Sequence, residues 1–262
     1  MLRVLDLFSG IGGFSLGLES TGLFETVAFC EYDDHKKKVI KKHWPNVPVW
    51  HDVRLLNPEN FTGRIDVLTG GFPCTDLSAC AKGSHKGLDG QHSGLFFELA
   101  RIAEGVRPDW LLIENVPQVK KWIHIVRQYL PSYELQEVDV DTTGIIPSRR
   151  KRCIIVGSLR AGGAKQVCDT VEFARTAYQT GGHEDHLPML LPWKGGVSFE
   201  RLGSCIVEDI REGAEIDPTR IREGARIPRG MDGRRYLMLG DCVPPALITP
   251  FGRAIGFAAK NL

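Results

Sequence analysis

Short apolar runs alternate with stretches of helical spacing along the first half of the chain. Arg3-Val4-Leu5-Asp6-Leu7-Phe8 is a β run that stops at Ser9-Gly10-Ile11-Gly12-Gly13, and a helical pattern follows from Phe14 to Ser20. Thr26-Val27-Ala28-Phe29-Cys30-Glu31 is a second β run closed by an acid, and Asp66-Val67-Leu68-Thr69 is a third, running into Gly70-Gly71-Phe72-Pro73-Cys74. Leu95, Phe96, Leu99, Ile102, Ala103 and Val106 recur at helical spacing and predict an amphipathic helix over 93–107. Trp110-Leu111-Leu112-Ile113-Glu114-Asn115-Val116 is nearly continuous in apolar character, as parallel strands covered on both faces are. A helix over 118–130 and strands near 134–140 and 152–157 complete the series. Such alternation predicts an α/β fold with a doubly wound, mostly parallel, Rossmann-like sheet.

The pattern breaks after about residue 160. Residues 161–225 are polar, charged and punctuated by Gly162-Gly163, Gly181-Gly182 and Gly195-Gly196, which predicts a small irregular second lobe. Core character returns toward the end. Val243-Pro244-Pro245 opens a helix carrying Ala246, Leu247, Ile248, Phe251, Ile255 and Phe257, with proline where the first N–H groups lack acceptors. The expected division is therefore 1–160, 161–225 and 226–262, the last returning to the first domain.

Composition narrows this little. With 262 residues, 42% of them hydrophobic, the chain can bury a substantial core, and its formal charge of +1 announces no polyanion partner. A nucleic-acid site must come from local clusters of Lys and Arg. No apolar run reaches the ~18–20 residues that span a bilayer, and the N-terminus is too acidic for a signal peptide. Seven cysteines, an odd number without a C-x-x-C pair, fit a reducing cytoplasm rather than a disulfide framework. Cys74, Cys80, His85 and His92 match no common zinc spacing, so no metal is expected.

The candidate chemistry gathers at strand ends. Glycines in Phe8-Ser9-Gly10-Ile11-Gly12-Gly13 let the backbone approach a ligand at a helix N-terminus, and Glu31 can accept hydrogen bonds from ribose hydroxyls. The pair points to a nucleoside-containing cofactor; the loop does not match the G-x-G-x-x-G of nicotinamide oxidoreductases. Cys74 ends the third strand, where open α/β sheets bind ligands, and its thiolate is a soft nucleophile; alone, it reads equally as a structural cysteine. Glu114 ends the neighbouring strand. In the basic segment Ser148-Arg149-Arg150-Lys151-Arg152, alternation puts Arg150 and Arg152 on one face and Arg149 and Lys151 on the other. One face can enter the cleft while the other meets phosphate.

Together and in this order, Asp-Leu-Phe-Ser-Gly-Ile-Gly-Gly, Gly-Phe-Pro-Cys, Glu-Asn-Val and Arg-x-Arg resemble the C5-cytosine-specific DNA methyltransferase family of bacteria and phages. The resemblance covers roughly residues 2–157 and 226–257. It includes Asp52-Val53, at the family's adenine-holding position, the stretch from Ser78 to Gly94, similar to its mobile catalytic loop, and Leu239-Gly240-Asp241-Cys242-Val243-Pro244-Pro245. It implies a catalytic domain that binds S-adenosylmethionine over 1–160, a short target-recognition region over 161–225 and a C-terminal return. Phe8 to Gly13, Glu31, Tyr32, Asp52, Val53, Pro73, Leu95, Asp241 and Cys242 would hold the cofactor. Cys74, Glu114, Arg150 and Arg152 would be catalytic, and Ser78, Lys82, Arg149 and Lys151 would touch DNA.

The implied reaction adds the Cys74 thiolate to C6 of cytosine, so that C5 gains the electron density to take a methyl group. Glu114 would hold N3 and the exocyclic amine, and Arg150 and Arg152 the O2 side. The target base would have to leave the duplex stack. Three residues depart from the family pattern: Thr75 follows Pro-Cys where Gln is usual, Ser148 precedes Arg-x-Arg where Gln is frequent, and Asp241 stands in place of Asn. The region over 161–225 is small for target recognition, which implies a short or loosely specified site. Rival expectations are cytosine-5 methylation of transfer RNA by the same site and a catalytically silent DNA-binding relative. The expected setting is a monomer in the cytoplasm of a bacterium or a phage-infected host, beside a cognate restriction enzyme or protecting a phage genome.

Overall fold

The computed structural model describes residues 1–61, 63–73, 94–141, 151–179 and 242–260. Within them, seven strands form one sheet: β1 (Leu2–Leu7), β2 (Phe24–Cys30), β3 (Val49–Trp50), β4 (Val67–Gly70), β5 (Trp110–Asn115), β6 (Glu134–Asp141) and β7 (Lys151–Ser158). Their order is β3-β2-β1-β4-β5-β7-β6. The first five run parallel, while β7 lies antiparallel between β5 and β6. The sheet is therefore α/β and mostly parallel, as the alternation predicts. Every residue of β5 is buried, which is why its sequence is nearly continuous in apolar character.

Six α-helices flank the sheet among the described residues: α1 (Gly13–Glu19), α2 (Asp34–His43), α3 (Leu95–Val106), α4 (Ile123–Tyr129), α5 (Gly163–Gln179) and α6 (Pro245–Lys260). One core layer joins Leu5, Leu68, Leu111 and Ile155 of the sheet to Phe96, Leu99 and Ile102 of α3 and Val126 of α4. The opposite layer joins Val4, Val67, Leu112 and Val156 to Phe14 and Leu18 of α1, Val167 and Val171 of α5, and Ile248, Phe251 and Ile255 of α6. β1, β4, β5 and β7 thus contribute alternate side chains to two apolar layers.

Several boundaries differ from the sequence expectation. β1 stops at Leu7 because Phe8 turns into the left-handed region at φ 51°. The helix expected through 118–130 starts as a 3-10 segment, Pro117–Trp122, and becomes α-helical only at Ile123; Trp122 separates them at φ −111°, ψ 13°. The α2 helix was not expected, since only Val39 and Ile40 carry an apolar signal in it; its start is secured by Asp33, whose carboxylate accepts from His35 N at 2.7 Å and Lys36 N at 3.2 Å. The boundary at 160/161 needs correction. Residues 163–179 form α5, and Ala164, Val167, Cys168 and Val171 are buried against the sheet and α6 layer, so this stretch packs with the first domain. Glycines at 162–163 obscured that helix because they stand at its start.

Candidate active site

Parallel pairing brings the carboxyl ends of β2, β1, β4 and β5 to one rim, with Leu7 beside Cys30 and Gly70, and Gly70 beside Ile113. Two clusters stand on it.

The first is the loop after β1. Ser9 Oγ donates to Asp6 O at 2.6 Å, Ser9 N donates to Cys30 O at 3.1 Å, and Cys30 N donates to Ser9 Oγ at 3.2 Å, so the loop is sewn to the end of β2. Gly10, at φ 59°, turns its N–H to Glu31 Oε2 at 2.8 Å, while Asp33 N donates to Glu31 Oε1 at 2.8 Å. Burial holds the Glu31 carboxyl above the usual glutamate range, against the pull of these two N–H groups and of Lys36. Ile11, Gly12 and Gly13 are buried; Ile11 packs with Cys242, and a Cβ on Gly13 would meet Val243 O at 2.2 Å and Cys242 Sγ at 2.5 Å. Cys242 thus touches the loop from the C-terminal segment.

Five more residues of the expected cofactor set are described: Tyr32, Asp52, Val53, Leu95 and Pro73. Tyr32 is 64% exposed and stacks on His51 with ring centroids 4.5 Å apart. Asp52 caps the 3-10 turn Val53–Leu55, and its carboxylate is gripped by the Arg54 guanidinium at 2.6–3.1 Å, which holds it below the ordinary aspartate value. Val53 is buried in the core, and Leu95, which opens α3, packs partly buried against the same layer. Pro73 is half-buried at the end of the β4 loop.

The second cluster carries the acid. Glu114 is buried near the end of β5, and Arg152 Nε of β7 lies 2.5 Å from its Oε1. Antiparallel register explains the meeting: Glu114 pairs with Ile154, two residues from Arg152. Arg152 Nη1 also donates to Lys151 O at 2.8 Å, while Lys151 itself is exposed. Asn115 Nδ2 donates to Phe72 O at 3.1 Å, tying the end of β5 to the loop that leads into Cys74. Glu114 Oε2 would lie 3.2 Å from a Cβ on Gly71, so the acid stands against that loop. Cys74, Ser78, Lys82, Arg149, Arg150 and Asp241 lie outside the described residues.

Residues 2–176 match the family model for the C-5 cytosine-specific DNA methylases. The chain belongs to this family. It is similar to the type II methyltransferase M2.BsuMI of Bacillus subtilis, 38% identical over 60% of this chain and 42% of that protein. It is also similar to M.Bsp6I of a Bacillus species, 34% identical over 60% of this chain and 52% of that protein. The chain therefore spans about half the length of these relatives. Among solved structures, the Schizosaccharomyces pombe Dnmt2 methyltransferase aligns over 100% of this chain and 99% of its own with a TM-score of 0.60; at 15% identity the likeness is one of fold.

Within this C-5 cytosine methylase frame, the sequence motifs passed over the residues that hold the loops. Asp6 is fully buried, accepts from Ser15 Oγ and Thr69 Oγ1 at 2.8 Å each, and so links β1, α1 and β4 beneath the loop after β1. Trp44 Nε1 donates to Glu19 Oε2 at 2.9 Å, and the Trp44 ring covers Gly12. A signal existed for the first: an acid inside an apolar strand needs partners. Among the described residues, no group of three or more His, Cys, Asp or Glu could hold a metal, and no helix is long and apolar enough to cross a membrane.

Proposed function

We propose that the protein transfers a methyl group from S-adenosylmethionine to C5 of a cytosine flipped out of duplex DNA, with Cys74 as the nucleophile. The observation that carries this is the Glu114 carboxylate, paired with Arg152 and set against a Gly71-Phe72-Pro73 loop that Asn115 holds at the sheet rim.

The residues present fit the cofactor. Glu31 is held by two N–H groups at the end of β2 with lone pairs left for ribose hydroxyls, the Gly10 turn brings backbone to the same edge, and Tyr32 offers an exposed ring for adenine. Asp52 and the Val53 backbone flank that ring's neighbour His51. Bound there, S-adenosylmethionine supplies an electrophilic methyl group on a sulfonium.

Cytosine C5 is too weak a nucleophile to take that methyl unaided. The Cys74 thiolate would add to C6 and raise the electron density at C5; C5 would take the methyl carbon as its bond to the sulfonium sulfur breaks to leave a neutral thioether, and release of the C5 proton to solvent would re-form the C5–C6 double bond as Cys74 leaves. Glu114 accepts from the exocyclic amine and holds the proton at N3, while Arg152 fixes the carboxylate's orientation. Arg150 and Arg152 bind O2, and the base leaves the stack to reach them. Residues 180–225, the part of the expected target-recognition region beyond α5, supply target recognition, and Ser78, Lys82, Arg149 and Lys151 supply contacts to DNA. A place in restriction–modification, in a bacterial cytoplasm beside a cognate nuclease, belongs to the same proposal; the relatives' names, type II methyltransferases, agree with the methylating part of it.

The test is covalent trapping on duplex DNA containing 5-fluorocytosine, with S-adenosylmethionine present. Wild type should give a retarded protein–DNA band and Cys74→Ser none. Methyl transfer to unmethylated DNA, mapped base by base, should mark cytosine C5 at a short site. Methylation of transfer RNA alone, or DNA binding without a trapped band, refutes the proposal.

A further inference from the structure

The α2 helix carries Lys36, Lys37, Lys38, Lys41 and Lys42 against one acid, Asp34, in a chain whose formal charge is only +1. This is a local positive cluster, separate in sequence from the basic segment at 149–152. Ile40 is buried and Val39 packs inward against Ile11 and Leu16, which turns positions 34, 38, 41 and 42 outward as one exposed stripe. Lys37 is tied down: its Nζ lies 2.7 Å from Asp34 Oδ1 and 2.8 Å from His51 Nδ1, with 17% of the side chain exposed. Among the described residues, Lys38 and Lys41 have no carboxylate partner. Both line a surface cavity of about 330 Å³ together with Asp34, Lys37 and Val49.

The helix that carries the stripe starts at the working rim of the sheet. Asp33, which caps α2, also donates its N–H to Glu31, so the helix begins at the cofactor edge and runs away from it. Its ten residues extend about 15 Å at 1.5 Å each. A duplex carries one charge per about 1.7 Å of axis, so one that delivers a base to the rim offers phosphates over this distance on either side. Lysine suits such contacts, because it acts as a mobile point charge without base preference.

We propose that Lys38 and Lys41 form an accessory site for the phosphate backbone of duplex DNA flanking the target, outside the catalytic cleft. This rests on the DNA-methylating reading of the protein. It supplies affinity without sequence information and does not enter the chemistry.

The test compares wild type, Lys38→Ala/Lys41→Ala, the charge-retaining Lys38→Arg/Lys41→Arg and a Lys260→Ala control. Binding to unmethylated duplexes of ~12 and ~40 base pairs is followed by anisotropy across a salt series. On the long duplex the alanine pair should lower the slope of log K against log salt by about 1.8, at 0.9 per phosphate contact, while the arginine pair and the control keep it. The short duplex and S-adenosylmethionine should bind all four alike. An unchanged slope on the long duplex, an equal loss on the short one, or a loss seen only with RNA overturns the proposal. Methyl transfer by wild type to the long duplex separates the two levels. If wild type leaves DNA unmethylated, the underlying reading fails; if it methylates and the alanine pair binds as wild type does, this inference alone fails.

Discussion

Asp6→Asn isolates the energetics of the buried acid beneath the loop after β1. Asp6 is 0% exposed, and burial raises its carboxyl to about 7 against the pull of the Thr69 and Ser15 hydroxyls. An unfolded chain releases that proton near 3.8, so between the two values the folded protein binds more protons than the unfolded one. Stability contributed by the neutral acid is complete below pH 3.8 and is lost as pH rises toward 7, by about 1.4 kcal/mol per pH unit and about 4 kcal/mol in all. Asparagine keeps the shape: its oxygen accepts from one hydroxyl and its amide donates to the other, with nothing to ionise. The stability of Asp6→Asn relative to wild type should therefore grow by about 3 kcal/mol between pH 5 and pH 8. Urea or guanidinium unfolding of both proteins at the two pH values measures this, and taking their difference cancels the other titrating groups. A difference that stays level from pH 5 to pH 8 refutes the argument, because Asp6 would then ionise alike in the folded and unfolded chain.

Three further outcomes are expected. Arg152→Ala removes the partner of a nearly buried carboxylate; it should cost about 3 kcal/mol of stability and about 100-fold in methyl transfer, read by denaturation and by single-turnover kinetics. Glu31→Gln should weaken S-adenosylhomocysteine binding about tenfold by calorimetry, through loss of charge-assisted bonds to ribose, with the Cys74 trapping rate at saturating cofactor little changed. Gly13→Ala forces a Cβ against Val243 O and Cys242 Sγ; it should lower the thermal midpoint by several degrees, about 1–3 kcal/mol, and loosen the C-terminal segment to proteolysis.

Local pattern sufficed for much of this protein. The apolar runs of β1, β2, β4 and β5 and the helical stripe of α3 are legible because burial on the sheet demands them residue by residue. The candidate chemistry was legible as motifs because strand ends are where an open sheet binds ligands. Helix α2 escaped because its apolar content is two residues, and α5 because its leading glycines resemble a linker until the α6 and sheet layer covers Val167 and Val171. Long-range pairing was out of reach for a different reason: nothing local states that β7 inserts antiparallel beside β5. That register brings Arg152 to Glu114, while the parallel pairing of β4 and β5 lets Asn115 hold the loop before Cys74. The candidate residues are written in the sequence; the meeting of Glu114 with Arg152 and the burial of Asp6 are decided by the sheet.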